Sequence, residues 1–378
     1  MLTTTRHDPN ATLTLRGGKQ QSVDQELIDR YDEIIRKGRL NWTTYHHLGK
    51  LLGMGGQGRV YLSARRGTDG FTLPVAMKVF SPERYTDFRE YESAMTRIAS
   101  ISARVALIQN DHLLDVHNFV ERNRIRIMVM EWVDGYDVSQ LTNPKVLRLL
   151  EGNVDADRWD YINEVIITDG QQQNRFKAGI AVAIVRECLE ALAALHRENI
   201  VHGDIKPSNI MLKRSGHAKL IDMGSALDCT NPPADRSCTP VYAAPEILER
   251  DSATPRSDLA SLGYVLIEML SGSPPFRGDV SLRELLAAKR ELPQRLDEIL
   301  PEDVTRNELL MNFCRELIAP DPNMRFFSAD DAEHVDHGAA AFHRQLVLND
   351  MSTEYDNDIR LWLEELFHIE QRLDSDHE

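Results

Sequence analysis

Residues 200–212 read IVHGDIKPSNIML, and this pattern leaves the chain little freedom. The aliphatic residues Ile200 and Val201 on one side, and Ile210, Met211 and Leu212 on the other, have the character of short buried strands. Two such strands hold the turn between them in a fixed frame, so His202, Asp204, Lys206 and Asn209 project from one rigid loop. A proton acceptor, a cation and an amide oxygen able to bind a metal, held side by side, outline an active site.

Bulk properties narrow the class. A chain of 378 residues with 42% hydrophobic and 27% charged residues has the balance of a soluble globular protein of two or three domains. Its formal net charge of −15 opposes nucleic acid or an anionic membrane as the main partner. Cys188, Cys229, Cys238 and Cys314 form no CxxC pair and no metal-ligand spacing, so unpaired thiols in a reducing interior are expected. No apolar run reaches the ~18 residues needed to span a bilayer. The opening segment also lacks the apolar core of a signal peptide, so a cytoplasmic location is expected.

Along the chain, residues 1–21 are polar and expected to form a flexible tail. A helix is expected over 22–41: Ser22 and Gln25 make a capping box, Leu27, Tyr31, Ile34 and Ile35 share a face, and Arg36, Lys37 and Gly38 close it. Residues 42–133 alternate strand-like pieces (RVYLSARR, LPVAMKVF, IRIMVMEW) with one helical piece at 83–101, which predicts a small, mostly β domain. Residues 134–335 carry two long helical patterns around 182–199 and 256–272, predicting a mainly α domain. Within it, 142–177 contains the polar run DGQQQNR and reads as an inserted surface loop. The tail 336–378 is acidic and helical, with Ile359, Trp362, Leu363, Leu366 and Phe367 on one face that either docks on the chain's own helical domain or binds a partner.

Two further motifs carry chemistry. LLGMGGQGRVYL places Gly53, Gly55 and Gly58 at GxGxxG spacing, suited to a hairpin whose backbone N–H groups close over a phosphate chain. A strand follows it where dinucleotide-binding folds have a helix. VAMK then ends a strand pattern on Lys78, a cation that needs a phosphate or carboxylate partner when buried. Glu90 and Glu92 on the next helix are the candidates, and Glu92 is preferred, although the apolar positions Ala94, Met95 and Ile98 turn Tyr91 inward.

The glycine loop, VAMK, HGDIKPSN, DMG and AAPE, in this order over about residues 45–333, resemble the eukaryotic-type (Hanks-type) serine/threonine protein kinases, including their bacterial members. The resemblance implies an α+β bilobal kinase fold with ATP and magnesium (or manganese) as cofactors and a protein Ser or Thr hydroxyl as acceptor. It implies Asp204 as the residue that orients the acceptor hydroxyl and takes its proton, Lys206 as the cation on the transferring phosphoryl group, and Asn209 and Asp222 as metal ligands, with Lys78 on the ATP phosphates. It further implies a nucleotide pocket walled by Leu52, Val60, Ala76 and Met211 and bordered by Met130. The backbone of Glu131 and Val133 would bond the base, and Asp137 the ribose. His202 is assigned to structure, Thr239 to contact with Asp204 and Lys206, Glu246 to a pair with Arg325, and Asp258 to anchoring the catalytic loop.

Two positions depart from the pattern. Gly203 stands where many family members have an Arg that receives an activation-loop phosphate, so activity that does not depend strongly on phosphate at Thr230, Ser237 or Thr239 is expected. Met223 replaces the usual Phe of the magnesium-binding triplet, an apolar residue with more freedom. The alternatives to a working protein kinase are a feeble kinase-like scaffold and a small-molecule phosphotransferase of the aminoglycoside kinase type, whose catalytic loop also carries HGD.

Overall fold

The computed structural model describes residues 29, 33, 35–36, 47–233, 237–276, 281–348 and 355–375. The chain divides into two units, 1–45 and 46–378. The tail 1–21 lies outside the described residues, and of the helix expected over 22–41 only Asp29, Glu33, Ile35 and Arg36 are described, each helical.

The second unit begins with five antiparallel strands, β1 (Leu48–Gly55), β2 (Gly58–Arg66), β3 (Thr72–Phe80), β4 (Val116–Arg122) and β5 (Ile125–Glu131), in the order β1-β2-β3-β5-β4. Side chains alternate along β3, so Val75 and Met77 join Val129 in a small outer cluster while Ala76, Lys78 and Phe80 face the other way. Pairing of Val60 with Lys78 and of Ala76 with Met130 then lines up the residues of the cleft.

Between β3 and β4 runs helix α1 (Phe88–Val105), started by Asp87, whose side chain accepts the Glu90 N–H at 2.9 Å. It begins later than the expected 83–101 because this cap sits beyond the turn at 82–87. Its buried face is Tyr91, Ala94, Met95, Ile98, Ile101, Ser102 and Val105, the spacing of one helical stripe.

The rest of the unit is mainly helical. A short strand β6 (Gly135–Asp137) leads into α2 (Val138–Leu141). The segment expected as a surface loop over 142–177 instead folds as α3 (Pro144–Leu150), α4 (Ala156–Tyr161), a π-helical turn (Ile162–Ile166) and a hairpin of β7 (Ile167–Thr168) and β8 (Arg175–Phe176). Leu147, Leu150, Ile162, Ile166, Ile167 and Phe176 are all buried, so the segment is part of the core. Helices α5 (Ala178–Arg197) and α6 (Pro255–Ser271) fill the centre, the latter with nearly every side chain buried. Short strands β9 (Ile200–Val201), β10 (Ile210–Lys213), β11 (Ala218–Leu220) and β12 (Leu227–Asp228) bracket the functional loops. They pair as β11-β10-β6 and β12-β9. No helix among the described residues is long and apolar enough to cross a membrane.

Helix α7 (Leu282–Ile299) follows α6, and α8 (Tyr355–Ser375) closes the described chain. On α8, Ile359, Trp362, Leu363, Leu366 and Ile369 are fully buried, while Phe367, expected on that face, lies half-buried under the Arg214 guanidinium at 4.0 Å. The Trp362 ring meets Phe176 edge-on at 6.1 Å. Around it, Tyr161 donates to Asp358 at 2.7 Å, Arg158 to Glu365 at 2.8 Å and Tyr136 to Glu370 at 2.5 Å. Trp362→Ala is expected to cost about 3 to 5 kcal/mol by opening a cavity between α8 and Phe176. Chemical denaturation checks this, and a loss under about 1 kcal/mol would show that α8 contributes little to the lobe.

Candidate active site

The loop between β9 and β10 is fixed from below by Asp258 of α6. Its carboxylate accepts the N–H groups of His202 at 2.8 Å and Gly203 at 2.9 Å, and faces His196 Nε2 at 3.0 Å. Buried His202 spends Nε2 on the Ile221 carbonyl at 3.1 Å and Nδ1 on the Asp204 N–H at 3.3 Å, which makes it a brace for the loop. Gly203 has φ +76°, and a Cβ there would stand 2.9 Å from the Ser225 carbonyl oxygen, so any larger residue is strained in this backbone.

On this frame the predicted residues converge. Asp204 Oδ1 accepts the Thr239 hydroxyl at 2.7 Å and the Thr239 N–H at 3.1 Å, and Oδ2 accepts Lys206 Nζ at 2.7 Å. Lys206 also reaches the Thr239 hydroxyl at 3.2 Å. Asn209 Nδ2 donates to the Asp204 carbonyl at 2.8 Å, so its amide nitrogen is committed to the loop and its oxygen is the end available to a cation.

Asp222 follows β11 in a left-handed conformation (φ +67°) and accepts the Gly224 N–H at 3.0 Å. Lys78 Nζ lies 2.5 Å from Asp222 Oδ1. Burial pushes the Asp222 carboxyl up, but the Lys78 charge and hydrogen bond, with the Gly224 N–H, outweigh it and hold the group below the usual range. It is therefore a carboxylate at neutral pH.

Glu92 is not the partner of Lys78: it is half exposed and faces Arg126 at 3.7 Å. Glu90 turns back to the Thr86 N–H and hydroxyl at 2.7 and 2.6 Å. Tyr91 holds the inward position, with its hydroxyl against the Phe80 carbonyl and the Arg126 N–H. The second contact of Lys78 is Gln57 Oε1 at 2.7 Å, from the tip of the glycine hairpin.

Val60, Ala76, Met130, Val133 and Met211 belong to one apolar cluster spanning the cleft, together with Ile221. Leu52 stays exposed on β1 and outside that cluster, while Gly53, Gly55 and Gly58 form the β1–β2 hairpin above it. The Glu131 carboxylate is turned to the Asp115 N–H at 2.7 Å and to Lys219, and its own N–H donates to the Asp115 carbonyl at 3.0 Å. Asp137 stands opposite Met211 and caps α2, accepting the Gln140 N–H at 2.9 Å; burial raises its pKa despite that bond and the one from Ser139.

The segment 238–246 is held from two sides. Glu246 and Arg325 pair through both oxygens at 2.7 and 2.8 Å. Lys289 of α7, which the sequence reading missed, donates to the Val241 carbonyl at 2.6 Å from between the Tyr264 and Phe276 rings, each 4.1 Å away. Burial pushes its pKa down to about 6. A lysine in an otherwise amphipathic helix gives no sign in sequence that it turns inward.

A β-sheet lobe over a helical lobe, with Lys78, Asp204, Asn209 and Asp222 facing the cleft between them, defines the protein kinase class. The protein kinase domain matches residues 46–336, and the chain belongs to that family. It is similar to the serine/threonine-protein kinase PknD of Mycobacterium tuberculosis, with 28% identity over 317 residues, covering 79% of this chain and 40% of that protein. PknH of Mycobacterium bovis is 32% identical over 240 residues, 62% of this chain and 34% of that protein. Serine/threonine-protein kinase PAK 1 of Mus musculus is 35% identical over 150 residues, 38% of this chain and 28% of that protein. The chain thus spans 40% or less of the length of these relatives.

Proposed function

We propose that the chain is an ATP- and magnesium-dependent protein kinase that transfers the γ-phosphoryl group to Ser or Thr hydroxyls of other proteins. The observation that carries this reading is Thr239: its hydroxyl already rests on Asp204 and Lys206, as an acceptor hydroxyl must. Asp204 takes the proton from the acceptor, and Lys206 neutralises charge on the group in transit. Asp222, ionised, and Asn209, with its oxygen turned outward from the loop bond, are oxygen donors suited to a hard dication, which would draw charge from the phosphate oxygens. Lys78 holds phosphate, the apolar cluster holds the base, the backbone of Glu131 and Val133 bonds it, and Asp137 takes the ribose. Little covalent chemistry is asked of the protein; positioning and electrostatics do the rest. A docking segment braced by Glu246, Arg325 and Lys289 favours a protein substrate over a small molecule.

The absence of an α1 carboxylate at Lys78 favours a second reading, a weak kinase-like scaffold. Transfer of labelled phosphate from Mg-ATP to the chain itself and to a generic basic protein separates the two. Label that depends on magnesium and vanishes in Lys78→Met supports the kinase; tight ATP binding with no label supports the scaffold.

Activation-loop phosphate is not required in this account. The Thr230 hydroxyl donates to Asp228 at 2.5 Å, so a phosphate there would meet a carboxylate, and Gly203 offers no guanidinium. At Ser237 the Arg84 guanidinium already donates to the plain hydroxyl at 2.9 Å, so the contact a phosphate would strengthen is made without one. Thr230→Ala and Ser237→Ala, singly and together, are expected to keep activity within about three-fold, the scale of one weak surface contact. Loss of nearly all turnover in either would overturn this.

A further inference from the structure

Lys78 is held in an unusual way. The inward face of α1 presents Tyr91, Ala94, Met95 and Ile98, and both nearby glutamates point elsewhere, Glu90 to Thr86 and Glu92 to Arg126. In their stead the Gln57 side chain crosses the cleft. Its Oε1 accepts from Lys78 Nζ at 2.7 Å while its Nε2 donates to Ser225 Oγ at 2.9 Å. Residue 224 lies beneath this bridge: a Cβ on Gly224 would fall 1.9 Å from Gln57 Oε1 and 2.9 Å from Lys78 Nζ. The bridge therefore exists only because the DMG segment has no side chain there.

We propose that Gln57 is the positioning residue for Lys78, replacing the missing α1 carboxylate and tying the lysine to the glycine hairpin. This rests on the kinase reading. Lys78 has three N–H donors; Asp222 and Gln57 take two, and the third is left for a phosphate oxygen. An amide oxygen holds the ammonium without adding a second negative charge beside the Lys78–Asp222 pair. Because Gln57 sits on the hairpin that covers the phosphates, closing the hairpin and presenting Lys78 become one event. Position of α1 then matters less to the lysine than position of the hairpin.

The test uses the full chain as wild type, Gln57→Ala, Gln57→Glu, Lys78→Met and the Lys78→Met/Gln57→Ala double variant. Hydrogen exchange of the 53–58 amides is read without nucleotide, and affinity for a fluorescent ATP analogue and kcat and KM for Mg-ATP are read with it. Gln57→Ala is expected to speed exchange at the hairpin and to lower kcat/KM for ATP by roughly ten- to a hundred-fold, the scale of one hydrogen bond to a charged group. Its melting temperature should stay at the wild-type value. Gln57→Glu, which keeps an acceptor in place, should recover most of the hairpin protection. On the Lys78→Met background Gln57→Ala should lower affinity no further and should cost hairpin protection only through the lost Ser225 bond. Unchanged exchange and kinetics in Gln57→Ala, a tighter or faster enzyme, or additive loss of affinity in the double variant would each overturn the proposal. If no protein transfers phosphate, wild type included, the kinase reading falls, and exchange with affinity still decides the role of Gln57.

Discussion

Asp204→Asn is expected to lower phosphoryl transfer by about a hundred- to ten-thousand-fold, the scale of losing a positioned general base. Asp204 Oδ1 already accepts a hydroxyl, from Thr239, and Oδ2 is tied to Lys206, so in the proposed reaction the carboxylate would stand where an acceptor hydroxyl surrenders its proton. An amide of the same shape keeps the loop, since Asp258 and His202 brace it through backbone atoms, but it cannot take the proton. Nucleotide affinity and thermal midpoint should stay near wild type, measured by analogue binding and by a melting curve. Turnover within ten-fold of wild type would mean that Asp204 is not the base.

An effect on stability as large as that of Trp362→Ala is expected at Arg325. Its guanidinium is fully buried and spends its donors on both Glu246 oxygens and on the carbonyls of Ala319 at 2.7 Å and Arg256 at 2.9 Å. Ser257 adds a bond to Glu246 at 2.8 Å. Arg325→Met removes the cation and leaves a carboxylate with one hydroxyl in an apolar setting, costing about 3 to 5 kcal/mol. The melting temperature should fall on the order of 10 °C. Pairing it with Glu246→Leu should recover much of the loss, because two apolar residues carry no desolvation penalty. A single variant that melts like wild type would remove the pair from the account of how the docking segment is held.

Most of the site was legible because its parts are local. Asp204, Lys206 and Asn209 fall within six positions of one loop between two short strands, and strand alternation alone puts Lys78 on the face of Ala76 and Phe80. What escaped depends on distant packing. The choice between Tyr91 and Glu92 turned on the face of α1 that meets the sheet; the apolar spacing of Ala94, Met95 and Ile98 pointed to Tyr91, and a preference for a carboxylate led away from it. Gln57 is one polar residue in a hairpin, and only the position of Lys78 and Ser225 across the cleft shows its use. The 142–177 segment reads as a loop because of the polar run DGQQQNR within it. Ile162, Ile166, Ile167 and Phe176 hold it in the core, in part through contact with a helix nearly two hundred residues later in the chain.

The measurement that bears most directly on the account is the chemical fate of the γ-phosphate. The chain is incubated with Mg-ATP and a protein mixture, and phosphorylated residues are identified by mass spectrometry alongside the wild-type and Asp204→Asn rates of ATP loss. The account predicts phosphate esters on Ser and Thr hydroxyls of protein, appearing as ATP disappears and slowed with Asp204→Asn by the factor given above. ATP consumed with the phosphate found free or on a small molecule, and none on protein, would contradict it.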